Sequence, residues 1–355
     1  MKLFIFLLIL LSFSWNLKAD LALIPLKYSK YLEIYKDQYS SFIKFKRSPG
    51  NLQVHCLQIA GVSHKMGGCD NFQYFSRPLN NIGISSSTFY GFIKELNAVE
   101  KIKLVTNGAI IPLSSAPLVR LPQDIKNYLN SNIEALISFS YGDTYFNREK
   151  GLEKLKIPVI YINEFVEAHP LARAEWIKVF GILLGMEEKS KIVFKEVEEN
   201  YWKIKNETQK QFEFQKIPCQ IIYGDINSNN IAIIDQNNFF FYAFKDLHCK
   251  LVNSSENNKS VVNLKSVKIE SLYNDLIGAD FWINTNPLIF NRNNLNNKKI
   301  NKFKSFVNNT IYTLDFKKSN EYWVLLSVRP DLILKDLGNI IWGNSKIELS
   351  YFKKI

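Results

Sequence analysis

The stretch KIPVIYINEFVEAHPLARAEWIKVFGILLG, residues 156–185, decides how this chain is read. Val159 to Ile162 is a short, β-prone apolar run opened by Pro158. Pro170 stands where a first helical residue belongs, since its fixed φ suits a helix and its missing N–H is not needed there. Leu171, Ala174, Ile177, Phe180 and Leu184 then recur on one helical face, and Gly185 supplies the stop. Strand, polar loop and helix follow in that order. Asn163, Glu164, Glu167 and His169 occupy the loop at the strand's carboxyl end, which is where open α/β sheets take their ligands.

The same rhythm extends upstream. Ile82 to Ile84 reads as a strand, Ser85-Ser86-Ser87-Thr88 as an N-cap run, and Phe89 to Leu96 as a helix. Strands at Ile102 to Val105 and Ile133 to Phe139 and helices at Asp124 to Leu129 and Arg148 to Leu155 continue it. Repeated β-α-β units imply a parallel sheet covered by helices. The second of these strands ends in Ser140-Tyr141-Gly142-Asp143, another strand-end loop. Earlier, Asp20 to Pro49 reads as a strand followed by β-prone or weakly helical sequence. Strands are expected at Leu52 to Ile59 and Phe72 to Phe75.

Downstream, Glu187 to Phe214 contains neither Gly nor Pro. It predicts one helix of roughly 28 residues, about 42 Å long at the standard rise. A second α/β pattern opens after Pro218. It comprises a strand at Cys219 to Tyr223, an apolar run at Ile231 to Ile234, and strand or helix at Phe239 to Phe244. A helix at Ile269 to Leu276 and strands at Ala279 to Ile283 and Ile311 to Leu314 follow. A final helix, Leu332 to Trp342, is opened by Arg329-Pro330-Asp331. The expected fold class is therefore α/β: two lobes with mostly parallel sheets, joined by one long backbone helix. The boundaries are 1–19 for a leader, 20–186 for the N-terminal lobe, 187–215 for the helix and 216–355 for the C-terminal lobe.

A chain of 355 residues is long enough for two cores, and 46% hydrophobic with 22% charged residues is ordinary for a folded protein. The net charge is +12, but the lysines are spread along the chain without an arginine cluster or nucleic-acid motif, so no nucleic-acid partner is expected. Lys2, the apolar run Leu3 to Phe13 and Leu17-Lys18-Ala19 before Asp20 read as a signal peptide cleaved near Ala19. An exported, periplasmic location follows as an expectation, and no cysteine near the cleavage point supports a lipid anchor. Cys56, Cys69, Cys219 and Cys249 permit two disulfides in three connectivities, Cys56 with Cys69 and Cys219 with Cys249 being the local pairings; the sulfurs can equally serve as small buried hydrophobes.

The segment Pro170-Leu171-Ala172-Arg173-Ala174-Glu175-Trp176 after Ile157-Pro158-Val159 resembles part of the extracytoplasmic substrate-binding proteins of ABC importers, in the subgroup that handles iron-siderophore complexes, haem and cobalamin. Gly278-Ala279-Asp280-Phe281-Trp282-Ile283-Asn284 and Arg329-Pro330-Asp331-Leu332-Ile333-Leu334-Lys335-Asp336-Leu337 also look like that family. The resemblance implies a monomeric binding protein, not an enzyme. It has no resident cofactor and carries an iron- or cobalt-bearing metal chelate between its lobes to a membrane permease and ATPase. It places the ligand against the strand-end loops Ser85 to Thr88, Tyr141 to Asp143, Glu164 to Arg173, Gly224 to Asn227 and Asn284 to Asn286, with Ser86, Ser87, Thr88, Tyr141, Asp143, Glu167, Arg173 and Asn286 as the candidate contacts; Trp282, at a strand end, is a further candidate as an aromatic that can stack on a ligand. It places permease docking on one carboxylate per lobe: Glu270 in the second, and in the first Asp124, or the wrongly charged Lys126. Relatives of this type carry a Trp and a Pro-Gly-Gly turn after the position of Gly224. This chain instead reads Asn230-Ile231-Ala232-Ile233-Ile234-Asp235-Gln236-Asn237-Asn238, so that half of the pocket is expected to be remodelled.

Each candidate also has a plain reading. Ser86 and its neighbours cap a helix, Arg173 pairs with a nearby carboxylate, and Trp176, Tyr141 and Trp282 pack in a core. His169, before Pro170, is a cap as readily as a haem-iron ligand. Glu175 reads as helix surface beside Lys178. His55, His64, Cys56 and Cys69 lack the spacing of a zinc site. An alternative function is an exported hydrolase using Glu164 and Glu167 as acid and base, although no Gly-x-Ser-x-Gly or P-loop motif accompanies them. Another is a degenerate binding protein with a protein partner.

Overall fold

The computed structural model describes residues 21–49, 51–63, 65–106, 118–119, 130, 132–140, 157–216, 219–227, 230–255, 265–285, 299–343 and 348–355. The leader and the expected helices at 124–129 and 148–155 lie outside these residues.

The chain begins with a five-stranded sheet in sequential order: β1 (Ala22–Ile24), β2 (Leu32–Lys36), β3 (Ser41–Phe45), β4 (His55–Ile59) and β5 (Asn71–Phe75). The first four strands are antiparallel, and β5 joins β4 in parallel. Of the two readings open for the sequence after the first strand, β-prone or weakly helical, the β-prone one holds: β2 and β3 form a hairpin. Leu32 and Ile34 are buried on alternate positions, the period of a strand. Asp37 closes the turn by accepting the backbone N–H groups of Tyr39 and Ser40, at 2.7 and 2.6 Å. A disulfide links Cys56 of β4 to Cys69. A bridged sulfur cannot ligate zinc as a thiolate, which removes the metal reading there.

The first lobe's second sheet is wholly parallel: β6 (Ile82–Ile84), β7 (Ile102–Thr106), β8 (Leu118–Val119), β9 (Ala135–Ser138) and β10 (Val159–Tyr161), ordered β10-β9-β6-β7-β8. Helix α1 (Ser87–Glu95) follows β6. The helix expected from Pro170 to Leu184 is two: α2 (Pro170–Glu175) and α3 (Ile177–Leu184), with Trp176 between them at ψ −10°. Trp176 explains the break. Its buried indole stacks on Phe45 at 5.7 Å and donates to Glu167 Oε1 at 3.4 Å, and the backbone turns to seat it. Gly185 ends α3 in the left-handed region, at φ 72°.

Helix α4 (Glu187–Gln215) runs 29 residues, one unbroken helix as the missing Gly and Pro imply. The second lobe follows. Its main sheet, ordered β14-β11-β17-β18-β19, holds β11 (Cys219–Tyr223), β14 (Cys249–Leu251), β17 (Phe281–Asn284), β18 (Ile311–Leu314) and an antiparallel edge, β19 (Phe352–Lys354). Cys219 and Cys249 pair in register across β11 and β14 and form the second disulfide. A smaller sheet carries β12 (Ile226–Asn227), β13 (Asn230–Asp235), β15 (Ser254–Ser255) and β16 (Lys265–Lys268), so the Asn230–Asn238 stretch adds a strand. The helices are α5 (Phe239–Asp246), α6 (Ile269–Leu276), α7 (Lys304–Val307), α8 (Ser319–Leu325) and α9 (Pro330–Trp342). The Phe-rich run is thus helix, opened by Asn238, whose side chain accepts the Phe240 N–H.

One apolar core continues from the first sheet through α1, α3 and α4 into α5 and α9, so the lobes share buried surface along the long helix. Two contacts lock them together. At the first, Arg329 reaches Glu95 of α1 at 3.2 Å, Glu196 of α4 at 3.1 Å and Asp331 of α9 at 2.8 Å. At the second, α1 meets α8. A Cβ on Gly91 would lie 2.1 Å from the Val324 carbonyl oxygen, so only glycine allows this approach. Gly91→Ala is expected to cost about 3 kcal/mol through overpacking, measured by urea denaturation.

Candidate functional site

Three strand ends of the first lobe come together. After β6, Ser86 caps α1: its Oγ accepts the Thr88 N–H at 3.3 Å and lies 2.9 Å from Thr88 Oγ1. Ser85 Oγ sits 2.9 Å from Ser138 Oγ at the end of β9. Asn163, after β10, accepts the Ser140 N–H at 2.8 Å and ties the neighbouring loops. Tyr141, Asp143, Asn286 and Asp124 lie outside the described residues.

Glu164 is the centre of this cluster. It is buried, 1% exposed, and Ser327 of the second lobe donates to its Oε1 at 3.3 Å. Its Oε2 is buried and has no hydrogen-bond partner within 3.5 Å among the described residues. Burial pushes its pKa above the ordinary 4.5, opposed by the Thr88 hydroxyl and the Arg173 charge. A raised carboxyl binds its proton more tightly folded than unfolded. Its contribution to stability is therefore full below the ordinary glutamate value and is lost as pH rises through the folded one. Glu164→Gln lacks that loss, so its melting temperature relative to the parent should rise as pH climbs from the ordinary glutamate value through the higher folded one and then level off, read by calorimetry.

Arg173 is buried as well. Its Nε donates to the Glu167 carbonyl at 2.8 Å and its Nη2 to the Phe165 carbonyl at 2.7 Å. The guanidinium lies 5.1 Å from the ring centre of Phe239, across the lobe boundary. Burial lowers its pKa to about 10, against the attraction of Glu164 and Glu167. Glu167 is used structurally. Its carboxylate accepts the Ser29 hydroxyl, the Lys30 and Tyr31 N–H groups at 3.0 Å each, and the Trp176 indole. Glu175 is not the surface residue its spacing suggests. It is fully buried and takes the N–H groups of Lys27, Tyr28 and Ser29 at 2.8–2.9 Å, with Lys178 at 2.8 Å. The segment 27–31 covers it, a contact far off in sequence.

His169 is a cap. Its Nδ1 accepts the Leu171 N–H at 3.1 Å, and its Nε2 lies 3.7 Å from Asp246 Oδ2 of α5. Burial lowers its pKa, with Asp246 pulling the other way. Asp246 also receives Tyr201 and Lys205 of α4, at 2.8 and 2.6 Å, making a third tie between lobes and helix.

In the second lobe Trp282 is core. It is fully buried, and its indole donates to the Gly224 carbonyl at 3.0 Å, fixing the turn after β11. Glu270, in the first turn of α6, is half exposed and pairs with Lys299 at 2.9 Å. The aromatic face nearest the first lobe comes from residues that single-position reasoning missed. Tyr223 stacks on Phe240 at 4.1 Å and meets the Tyr322 hydroxyl at 3.3 Å, and Phe239 covers Arg173. Buried Asn253 holds Tyr223 in place through its N–H and carbonyl, at 3.1 and 2.7 Å. The Phe-Phe-Phe-Tyr run behind Asn238 was the available signal. A groove of about 590 Å³ between α4 and α9, lined by Lys203, Glu207 and Lys335, lies on helix surfaces away from these strand ends.

No family model matches the chain. An uncharacterized lipoprotein of Methanocaldococcus jannaschii is 22% identical, covering 79% of this chain and 69% of its own. Among solved structures, a periplasmic heme-binding protein of Pseudomonas aeruginosa superposes with a TM-score of 0.61 at 13% identity, covering 78% of this chain and 98% of that one. A periplasmic solute-binding protein of Staphylococcus epidermidis gives 0.57 at 18% identity, over 74% and 99%. A siderophore-binding protein of Vibrio cholerae bound to Fe3+-Desferal gives 0.54 at 10% identity, over 74% and 98%. These neighbours are covered almost whole, while part of this chain extends beyond each match. The chain has the fold of the substrate-binding proteins of ABC importers: two α/β lobes on one long helix.

Proposed function

We propose that the protein is an extracytoplasmic substrate-binding protein of an ABC importer. In this reading it takes an iron-siderophore, haem or cobalamin-like chelate between its lobes and delivers it to a membrane permease. The observation that carries the reading is the meeting of groups from both lobes, Glu164 after β10 with Ser327 after α8 and Arg173 of α2 with Phe239 at the start of α5, on a fold whose lobes share one long helix. The half-buried serines and Thr88 after β6 suit the polar groups of a ligand, over a core of aromatic residues, Phe239, Phe240 and Tyr223, that backs the site from the second lobe. Tyr141, Asp143 and Asn286 belong to the same proposal from their strand-end positions in the sequence. Glu270, exposed on the second lobe, and Asp124 are the proposed docking carboxylates.

The hydrolase alternative requires a free second carboxylate beside Glu164, and Glu167 is instead committed to residues 29–31. A thermal-shift screen against haem, cobalamin and ferric hydroxamate and catecholate siderophores tests the proposal. A saturable rise in Tm with one class supports it. No shift with any of them refutes the chelate assignment.

A further inference from the structure

Three side chains at strand ends keep a buried polar atom with no hydrogen-bond partner among the described residues: Ser140 Oγ and Glu164 Oε2 in the first lobe, and Asp235 Oδ2 in the second. These residues are 2%, 1% and 3% exposed. The first two belong to one cluster, because the Ser140 N–H donates at 2.8 Å to Asn163, the chain neighbour of Glu164. Asp235 stands on the other side of the lobe boundary. Strand β15 follows β14 after two residues, and β13 runs parallel beside it with Asp235 opposite Ser255, so Asp235 lies beyond the carboxyl end of the main sheet. Its Oδ1 accepts the Asn237 N–H at 2.6 Å, in the turn that leads to α5. Phe239 then opens that helix and covers Arg173 of the first lobe.

A buried polar atom without a partner is costly, and a buried carboxylate most of all. Both lobes therefore bring an acidic group in need of a donor toward their shared boundary. The cation expected to face a ligand does not offset this. Arg173 gives its Nε and Nη2 to the Glu167 and Phe165 carbonyls. The strand-end stretches 85–88, 138–140, 163–166, 224–227, 235–238 and 253–255 contain Glu164, Asp225 and Asp235 but neither Lys nor Arg. Burial already opposes a negative charge on Glu164. A ligand carboxylate beside it would add to that opposition, whereas an ammonium or amide N–H would relieve it.

We propose that the site between the lobes selects a chelate presenting ammonium or amide donors, received by Glu164 and Asp235, and discriminates against chelates that carry carboxylates there. This selectivity rests on the chelate reading above. The test is calorimetric titration of the whole chain with matched pairs of probes that share a chelate and differ in carboxylate content. Ferrioxamine B, ending in an ammonium, is set against its N-succinyl derivative, ending in a carboxylate. Cobalamin with its amide side chains is set against its monocarboxylic acid, and haem dimethyl ester against haem.

In every pair that binds, the member with fewer carboxylates should bind about tenfold tighter. Glu164→Gln and Asp235→Asn, which keep the side-chain shapes, should each narrow that gap. The preference of the parent is read without any variant, so a substitution that fails to fold leaves the test intact. A carboxylate member that binds as tightly as its partner, or a gap unchanged in both variants, overturns the proposal and leaves the chelate reading standing. Binding of no pair overturns the chelate reading, and this selectivity with it.

Discussion

Glu175→Ala lowers the stability of the folded chain by about 4 kcal/mol, the sum expected when buried donors lose a charged acceptor. The carboxylate is fully buried and serves three consecutive N–H groups, those of Lys27, Tyr28 and Ser29, together with the Lys178 ammonium. Its removal leaves the three N–H groups and the Lys178 ammonium without this acceptor. Glu175→Gln keeps one acceptor oxygen and should recover part of the loss. Urea denaturation checks both variants, with the midpoint falling and the slope retained if the transition stays two-state. A change below about 1 kcal/mol would mean that the 27–31 segment is not held by this side chain.

Arg329→Met is expected to cost about 3 kcal/mol, because it leaves the buried Asp331 carboxylate without its cationic partner and with only the Asn200 amide, at 3.4 Å, among the described side chains. The guanidinium donates to both Asp331 oxygens, at 3.0 and 2.8 Å, and to Glu95 at 3.2 Å. Burial opposes its charge, but Asp331 and Glu95 more than offset that and hold its pKa above the ordinary value. Lysine is a point charge without the planar fork, so Arg329→Lys should rescue little. Since Glu95 belongs to the first lobe and Asp331 to the second, the lobes' mutual orientation should loosen as well. Affinity for a ligand held between them should fall more than for a control substitution of equal stability cost on the outer face of α6.

Much of the fold was legible locally. The absence of Gly and Pro between 187 and 215 marked the long helix, and Pro170 and Gly185 marked the start and stop of the α2–α3 segment. The strands after Ile82 announced themselves by apolar runs between turn residues. What was not legible depended on distant contacts. Trp176 breaks its helix because Phe45 and Glu167 receive the indole, neither of which helical spacing reveals. Glu175 looked solvated because its i,i+3 neighbour is Lys178, and the segment that buries it is nearly 150 residues earlier in the chain. The hairpin at β2 and β3 was ambiguous because aromatic residues between 28 and 45 fit both periods. At the site, the loop carrying Glu164 was identified from its place after a strand. Which of its carboxylates would be free was not, since that depended on Ser29 and Ser327.

The most direct measurement is hydrogen–deuterium exchange of the whole chain with and without the chelate giving the largest thermal shift. The account predicts protection concentrated in both lobes at residues 85–88, 138–140, 163–166, 223–225 and 239–242, with α6 and the groove between α4 and α9 unchanged. Protection confined to one lobe, or to that outer groove, would contradict a ligand site between the lobes.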